Sequence, residues 1–225
     1  QDIDYLIVNC SIFCPTPSLC AMVANHFGMK PRLQSFNLGG MGCSASVIAI
    51  DLAKQLIQGN PGTLALVLST ENLTSQLYLG NKKGYLLQNT LFRVGGAGML
   101  LSSRWQDGFA AKYKLLHTVR TQNTQDDGYQ TVFQDEDEEG MCGIRLSKEI
   151  VTIAGRCMKD NFTILGPLVL PLWEQVKVLW SLMRRQMNNK ATPSYVPDFK
   201  KAFDHFCIHA GGRAVIDGIQ TNLNL

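Results

Sequence analysis

Two residues in this sequence stand where side-chain chemistry is favoured. Cys43 follows a glycine cluster, Gly39-Gly40-Met41-Gly42, and precedes a long apolar stretch. A thiol is a strong nucleophile only as thiolate, and its free pKa is about 8.5. A helix N-terminus carries about half a positive charge and unpaired N–H groups. A cysteine placed there gains thiolate character, and its own N–H can point at an acyl oxygen. The glycines permit a strained turn with no side chain in the way, the arrangement of a nucleophile elbow. Geometry leaves two readings open, an activated nucleophile and a buried structural cysteine in a strand–helix turn. The second centre is Asp204-His205-Phe-Cys-Ile-His209-Ala-Gly-Gly212. A strand that delivers a histidine into a glycine turn sets an imidazole at the strand's end, where ligand sites of α/β folds lie. His209 is the stronger candidate. His205 falls within the strand, where a packed histidine is the default, and is kept as a second possibility. His26 and His117 have no supporting context.

The elements that must position these residues follow from periodicity. Residues 5–8 form an apolar run suited to a buried strand. Pro15 and Pro17 break the chain, and Ser18 can cap a helix over 19–28 that Gly28 ends. A helix is expected over 44–58. Its apolar positions spread around most of the cylinder, which predicts burial inside a layered fold. Strands are expected at 64–69, 92–102 and 113–121. A polar loop is expected at 122–142, with its acidic run at 135–139 read as solvated surface; the spacing fits no Ca²⁺ loop. A helix follows at 147–161. Residues 165–183 are apolar, but Pro167 and Pro171 keep the first part out of regular helix. From Leu172 the spacing is helical. A last strand is expected at 203–209 and a helix from Arg213. Alternating strands and helices make the fold class α/β.

The 225-residue chain is 45% hydrophobic and 17% charged, a globular composition. Its net charge of +3 comes with no dense basic tract, so nucleic acid is not an expected partner. Seven scattered cysteines without a CxxC pair argue against a zinc site and against a disulfide framework. No metal is expected. The chain does not begin with methionine and has no apolar run of about 18 residues. It is expected to be cut from a larger protein at both ends.

Several blocks resemble one family. They are Asn37-Leu-Gly-Gly-Met-Gly-Cys43-Ser-Ala, Ser69-Thr-Glu-Asn72, Gly80-Asn-Lys-Lys83, Leu91-Phe-Arg-Val-Gly-Gly96, Leu165-Gly-Pro-Leu-Val-Leu-Pro171 and Phe203-Asp-His-Phe-Cys-Ile-His-Ala-Gly-Gly-Arg-Ala-Val-Ile-Asp217. In this order they are similar to the plant 3-ketoacyl-CoA synthases, the condensing enzymes of very-long-chain fatty acid elongation. The resemblance runs the length of the chain. It implies a thiolase-like α-β-α-β-α layered fold, here truncated. Residues 1–121 would be mostly the N-terminal half with the nucleophile, and 122–225 a linking region and the start of the C-terminal half. It implies that Cys43 holds a long-chain acyl group as a thioester. Malonyl-CoA would lose CO₂, and its enolate would take the acyl group to give 3-oxoacyl-CoA. His209 would donate a hydrogen bond to the malonyl thioester oxygen. Acyl-CoA and malonyl-CoA would be substrates, with no cofactor.

The resemblance also implies a homodimer, other elongase subunits, and an endoplasmic reticulum membrane location with the catalytic domain facing the cytosol. Two departures stand out. The family's catalytic asparagine lies beyond the last residue; Asn222 and Asn224 are not in its motif. Gln122 stands where the family usually has histidine. The chain alone is expected to be inactive. Three alternatives share parts of the pattern: a chalcone-synthase-like type III polyketide synthase, a degradative thiolase needing a second cysteine, and a non-catalytic thiolase-fold partner of an elongation complex. The segment from Leu172 to Met183, with Trp173, Trp180, Arg184 and Arg185, reads either as a core-covering helix or as an interfacial one.

Overall fold

The apolar run at the start of the chain forms β1 (Tyr5–Asn9), and every one of its residues is buried. Full burial on both faces is the mark of a central parallel strand. In the computed structural model, which describes residues 2–123, 127–187 and 195–223, β1 pairs in parallel with β2 (Gln34–Leu38) on one side and β3 (Leu64–Glu71) on the other. The edge strand β4 (Gly95–Ser102) runs antiparallel to β3, giving the order β2-β1-β3-β4. The chain divides into two compact units, Gln1–Thr118 with Gln134–Ile144, and Val119–Phe133 with Arg145–Leu225. Each is described by itself.

In the first unit, helices cover both faces of the sheet. Helix α1 (Leu19–His26) starts where Ser18 accepts a hydrogen bond from the Ala21 N–H, the cap expected from the sequence. Its Cys20 packs with Leu6 and Val8 on one face of β1. Helix α2 (Ala45–Gly59) lies on the other face. Ala49, Ala53 and Ile57 meet Tyr5, Ile7, Ala65 and Val67 there. Small residues at i and i+4 let the helix approach the strands closely. The expectation that α2 is buried all round is corrected, because it buries one stripe and Val47 is exposed.

Other expectations are corrected here too. Residues 92–94 precede the strand rather than join it, because helix α3 (Lys83–Leu91) runs up to them. Tyr85 and Gln88 of α3 face inward, and Asn89 binds both the N–H and the C=O of Tyr78. Residues 113–121 form no strand: no ladder among the described residues reaches them, and Tyr113, Leu115 and Leu116 are exposed. The predicted loop at 122–142, of which 124–126 lie outside the described residues, holds a hairpin of β5 (Val132–Glu136) and β6 (Cys142–Leu146). Asp137 makes its turn by accepting the N–H groups of Glu139 and Met141, with Gly140 at positive φ. The acidic run is therefore only partly solvated surface. Asp135 accepts a hydrogen bond from Tyr85 and Asp137 one from Tyr78, whose rings stack 4.9 Å apart. The Tyr78 hydrogen bond holds the Asp137 carboxyl below its ordinary range, while burial and Asp137 push the Tyr78 phenol up.

In the second unit, α4 (Ile150–Val169) extends beyond its predicted end and contains Pro167. The proline sits in the last turn, so its missing N–H removes a single intrahelical bond, and Leu170 N–H still closes onto Gly166. Pro171 precedes α5 (Leu172–Met187), and its C=O accepts the first N–H groups of that helix, from Glu174 and Gln175. The Phe199 ring packs 4.5 Å from Phe162 of α4. Helix α6 (Arg213–Leu223) lies against α4 at Gly218, where an added Cβ would sit 3.2 Å from Val151. Residues 203–209 are not a strand; none of the described ladders includes them.

Glu174 anchors this unit. It is 1% exposed and accepts hydrogen bonds from Lys201 (2.6 Å), Tyr195 (2.6 Å), Lys177 (2.9 Å) and the Asp198 N–H (3.3 Å). Lys201, Tyr195 and Lys177, in that order, hold its carboxyl far below the usual range. A carboxyl depressed in the folded state stabilises the fold above its unfolded pKa, about 4.3, and that contribution is lost as pH falls below it. Glu174→Gln is expected to lower the melting temperature at neutral pH and to flatten its acid dependence. Thermal melts followed from neutral to acidic pH check this. In the first unit, a Cβ at Gly143 would meet the Tyr85 and Tyr78 rings at 2.8 and 2.9 Å. Gly143→Ala is expected to cost about 1–3 kcal/mol in urea unfolding by overpacking.

Candidate active site

Strands β1, β2 and β3 point the same way, and their carboxyl ends lie side by side: Asn9 pairs with Leu38 and with Ser69. In open α/β sheets this edge is where ligands bind. Three connections leave it, and side chains tie them together. The Glu71 carboxylate at the end of β3 accepts the N–H groups of Ser11 (2.9 Å) and Ile12 (3.1 Å), and the Cys10 thiol (3.0 Å). Ser11 in turn donates its hydroxyl to the Gly42 C=O at 2.7 Å, and its own C=O accepts the Gly40 N–H at 3.0 Å. Beneath them Asn9 donates to Ser69 at 2.8 Å and accepts from Ser46 of α2 at 3.5 Å. The glycine turn is thus clamped to the strand ends from below and from the side.

Cys43 sits in a short 3-10 turn, Gly42–Ser44, that leads directly into α2. Gly40 and Gly42 both have positive φ (68° and 61°), conformations that strain any L side chain. The predicted strand–glycine turn–helix is present, with Cys43 exposed two residues ahead of α2. Its electrostatics differ from the expectation. Burial of the surrounding site, then the Glu71 carboxylate, push the Cys43 thiol above the ordinary range, and only its own backbone N–H pulls it down.

His209 lies in the second unit and is exposed. A chain of rings fixes the segment leading to it. Phe199 is buried, Phe203 stacks on it at 6.3 Å, and Phe206 meets Phe203 edge-on at 5.6 Å. After His209 the chain turns tightly, with the Gly211 N–H on the His209 C=O at 2.9 Å. A Cβ at Gly211 would press on the imidazole at 3.0 Å, so glycine there leaves the ring its place. His205 is exposed as well, not packed as a structural histidine would be. Gln122 is exposed, next to a segment that Asn161 of α4 holds through the Val119 C=O. The Asn222 side chain and Asn224 lie outside the described residues. Cys43 and His209 belong to different units, and each is placed by its own unit's packing.

Residues 1–187 match the sequence profile described as FAE1/Type III polyketide synthase-like protein. The chain belongs to this family. Within it, the chain is 52% identical over 226 residues to 3-ketoacyl-CoA synthase 9 of Arabidopsis thaliana, covering 100% of the chain and 44% of that relative. It is 54% identical over 226 residues to 3-ketoacyl-CoA synthase 5 of the same plant, covering 100% of the chain and 46% of that relative. The chain thus spans less than half the length of these relatives. Solved structures of type III polyketide synthases share the fold. PKS-I from the brown alga Ectocarpus siliculosus matches with a TM-score of 0.71 at 18% identity, over 100% of this chain and 52% of that one. The C-terminal domain of Steely1 from Dictyostelium matches at 0.68 and 16%, over 100% and 55%. The thiolase-like α/β fold class is borne out by these neighbours. In the first unit this takes the form of a four-stranded sheet with helices on both faces.

Sequence reasoning missed Glu71, Asn9 and Ser11. The available signal was position: all three are polar and fall at or just past the carboxyl end of an apolar strand. Glu71→Gln removes a negative charge beside Cys43 and keeps the size. The Cys43 thiol pKa should fall, so its iodoacetamide alkylation profile should move to lower pH. The lost backbone ties should also cost about 1–3 kcal/mol of stability. A pH–rate profile by peptide mass spectrometry checks the first, urea unfolding the second.

Proposed function

We propose that this chain carries the nucleophile and the catalytic histidine of a very-long-chain 3-oxoacyl-CoA synthase, an acyltransferase that condenses malonyl-CoA with a long-chain acyl-CoA. One observation carries the reading: Cys43 is exposed on a positive-φ glycine turn, at the carboxyl edge of a parallel sheet, in a chain half identical along its whole length to named 3-ketoacyl-CoA synthases. In the proposed reaction Cys43 Sγ attacks the acyl-CoA carbonyl and CoA thiol leaves, taking the proton that the cysteine gives up. A thiol must lose its proton in this step, and His209 is the candidate base. Malonyl-CoA then loses CO₂, and the electron pair of the broken C–C bond passes into an enolate. His209 donates a hydrogen bond to the enolate oxygen. The enolate carbon attacks the acyl thioester, the S–C bond to Cys43 breaks, and 3-oxoacyl-CoA leaves two carbons longer. The sequence needs neither metal nor cofactor. His205 has no assigned step.

The finer placement belongs to the same proposal. It comprises a homodimer, other elongase subunits, and the endoplasmic reticulum membrane with the catalytic domain toward the cytosol. It is supported by the resemblance alone. Among the described residues no helix is long and apolar enough to cross a membrane.

The test uses a full-length protein containing this segment. With long-chain acyl-CoA, the peptide bearing Cys43 should gain one acyl mass, and Cys43→Ser should lose turnover. His209→Ala should acylate Cys43 more slowly at neutral pH, recovering as pH rises and the thiolate forms without a base, and should release ¹⁴CO₂ from malonyl-CoA roughly 10²–10³ more slowly. Acylation at another cysteine, or normal CO₂ release by His209→Ala, would overturn the assignment.

A further inference from the structure

Helix α5 is inside out. A surface helix normally buries its apolar stripe and exposes its polar one. Here the face turned inward carries Glu174, Val178, Ser181 and Arg185, all buried or half-buried. The face turned outward carries Leu172, Val176, Leu179, Trp180, Met183 and Met187, with Trp173 beside them; every one is exposed. Trp173 is 68% exposed and Trp180 61%. The reason for the inversion is visible on the inner face. Buried Glu174 is held by Lys177, Lys201 and Tyr195, and Tyr195 N–H also binds Ser181. That polar network fixes the rotation of the helix, and the apolar residues are left outside.

We propose that the outer face of α5 docks on an anionic lipid surface. Charge and ring placement argue for this occupant. Arg184 lies along the same edge of the helix as Trp173 and Trp180; Lys177 lies there too, its ammonium already paired with Glu174, and with Tyr195 they line an open groove. Basic groups beside tryptophans, at the border of an apolar face, suit the headgroup level of a membrane: rings at the interface, aliphatic side chains below, cations on phosphate. The one acid on the helix, Glu174, is buried and paired, so it does not repel an anionic surface. At 16 residues, with Glu174, Lys177, Arg184 and Arg185 within it, α5 lies on a bilayer rather than across it. The inference concerns α5 alone and stands whether or not the proposed condensation is correct.

The test uses this 225-residue chain, once a cooperative thermal melt has shown that it folds on its own, with Trp105→Phe, which leaves Trp173 and Trp180 as the tryptophans of these 225 residues. With vesicles of phosphatidylcholine and phosphatidylserine, the tryptophan emission should shift to the blue, bromine-labelled acyl chains should quench it, and the chain should float with the vesicles. Trp173→Glu with Trp180→Glu, in the chain that retains Trp105, should weaken flotation roughly tenfold or more. Arg184→Glu should weaken binding to these vesicles by about fivefold or more and leave binding to pure phosphatidylcholine little changed. All three side chains are exposed, and circular dichroism confirms that the variants fold. No blue shift and no flotation would overturn the proposal. So would equal binding by wild type and Arg184→Glu on anionic vesicles. A lipid-free dimer in sedimentation that the double variant dissociates would overturn it too, because the face would then belong to a second copy of the chain.

Discussion

Strand β1 must be covered on both faces. Its five residues are all buried, with Leu6 and Ile7 fully so on opposite sides of the sheet. Left open, either face would expose several large apolar side chains, each worth roughly 1.5–3 kcal/mol of burial. Helix α1 therefore takes one side and α2 the other, and each must return to the sheet's amino end before the next parallel strand begins. That return places the turn before α2, and Cys43 with it, at the carboxyl edge beside the turns that follow β1 and β3. The location of Cys43 is a consequence of burying a central strand.

Proximity alone does not set a reactive geometry. The Glu71 carboxylate supplies the rest by holding the backbone after β1, and Ser11 passes that hold on to the glycine turn. Burial of the surrounding site first, and then this same charge, push the Cys43 thiol up. One group thus helps to fix the position of Cys43 and opposes its ionisation.

The second unit is organised by a buried charge as well. Glu174 is depressed by two lysines and a tyrosine, and a buried carboxylate with such partners is costly to disturb. Its demand for donors decides which way α5 faces. Polar groups claim the inside because they need one another, and the apolar face is free to meet something other than this unit's own core. The exposed apolar face of α5 thus follows from an electrostatic requirement rather than from hydrophobic packing.

Much of this was legible in one dimension. Strands 5–8 and 64–69, the Ser18 cap and the stretch that became α2 carry local signals, because apolar periodicity and capping act within a few residues. The motif blocks around Cys43 and His209 pointed to the family on their own. What tertiary structure decided was whatever needs a distant partner. Residues 113–121 and 203–209 have strand-like composition but no ladder among the described residues, since a strand exists only by pairing. The acidic run became a hairpin because Tyr78 and Tyr85, more than 45 residues away in sequence, supply hydroxyls to Asp137 and Asp135. Pro167 stayed in helix because losing one bond in a last turn is a small cost against packing. The apolar stripe of α5 was plain in the sequence, yet its direction was not. A stripe defines an angle around the helix axis, and only the partners of Glu174 determine which side of that angle faces the protein.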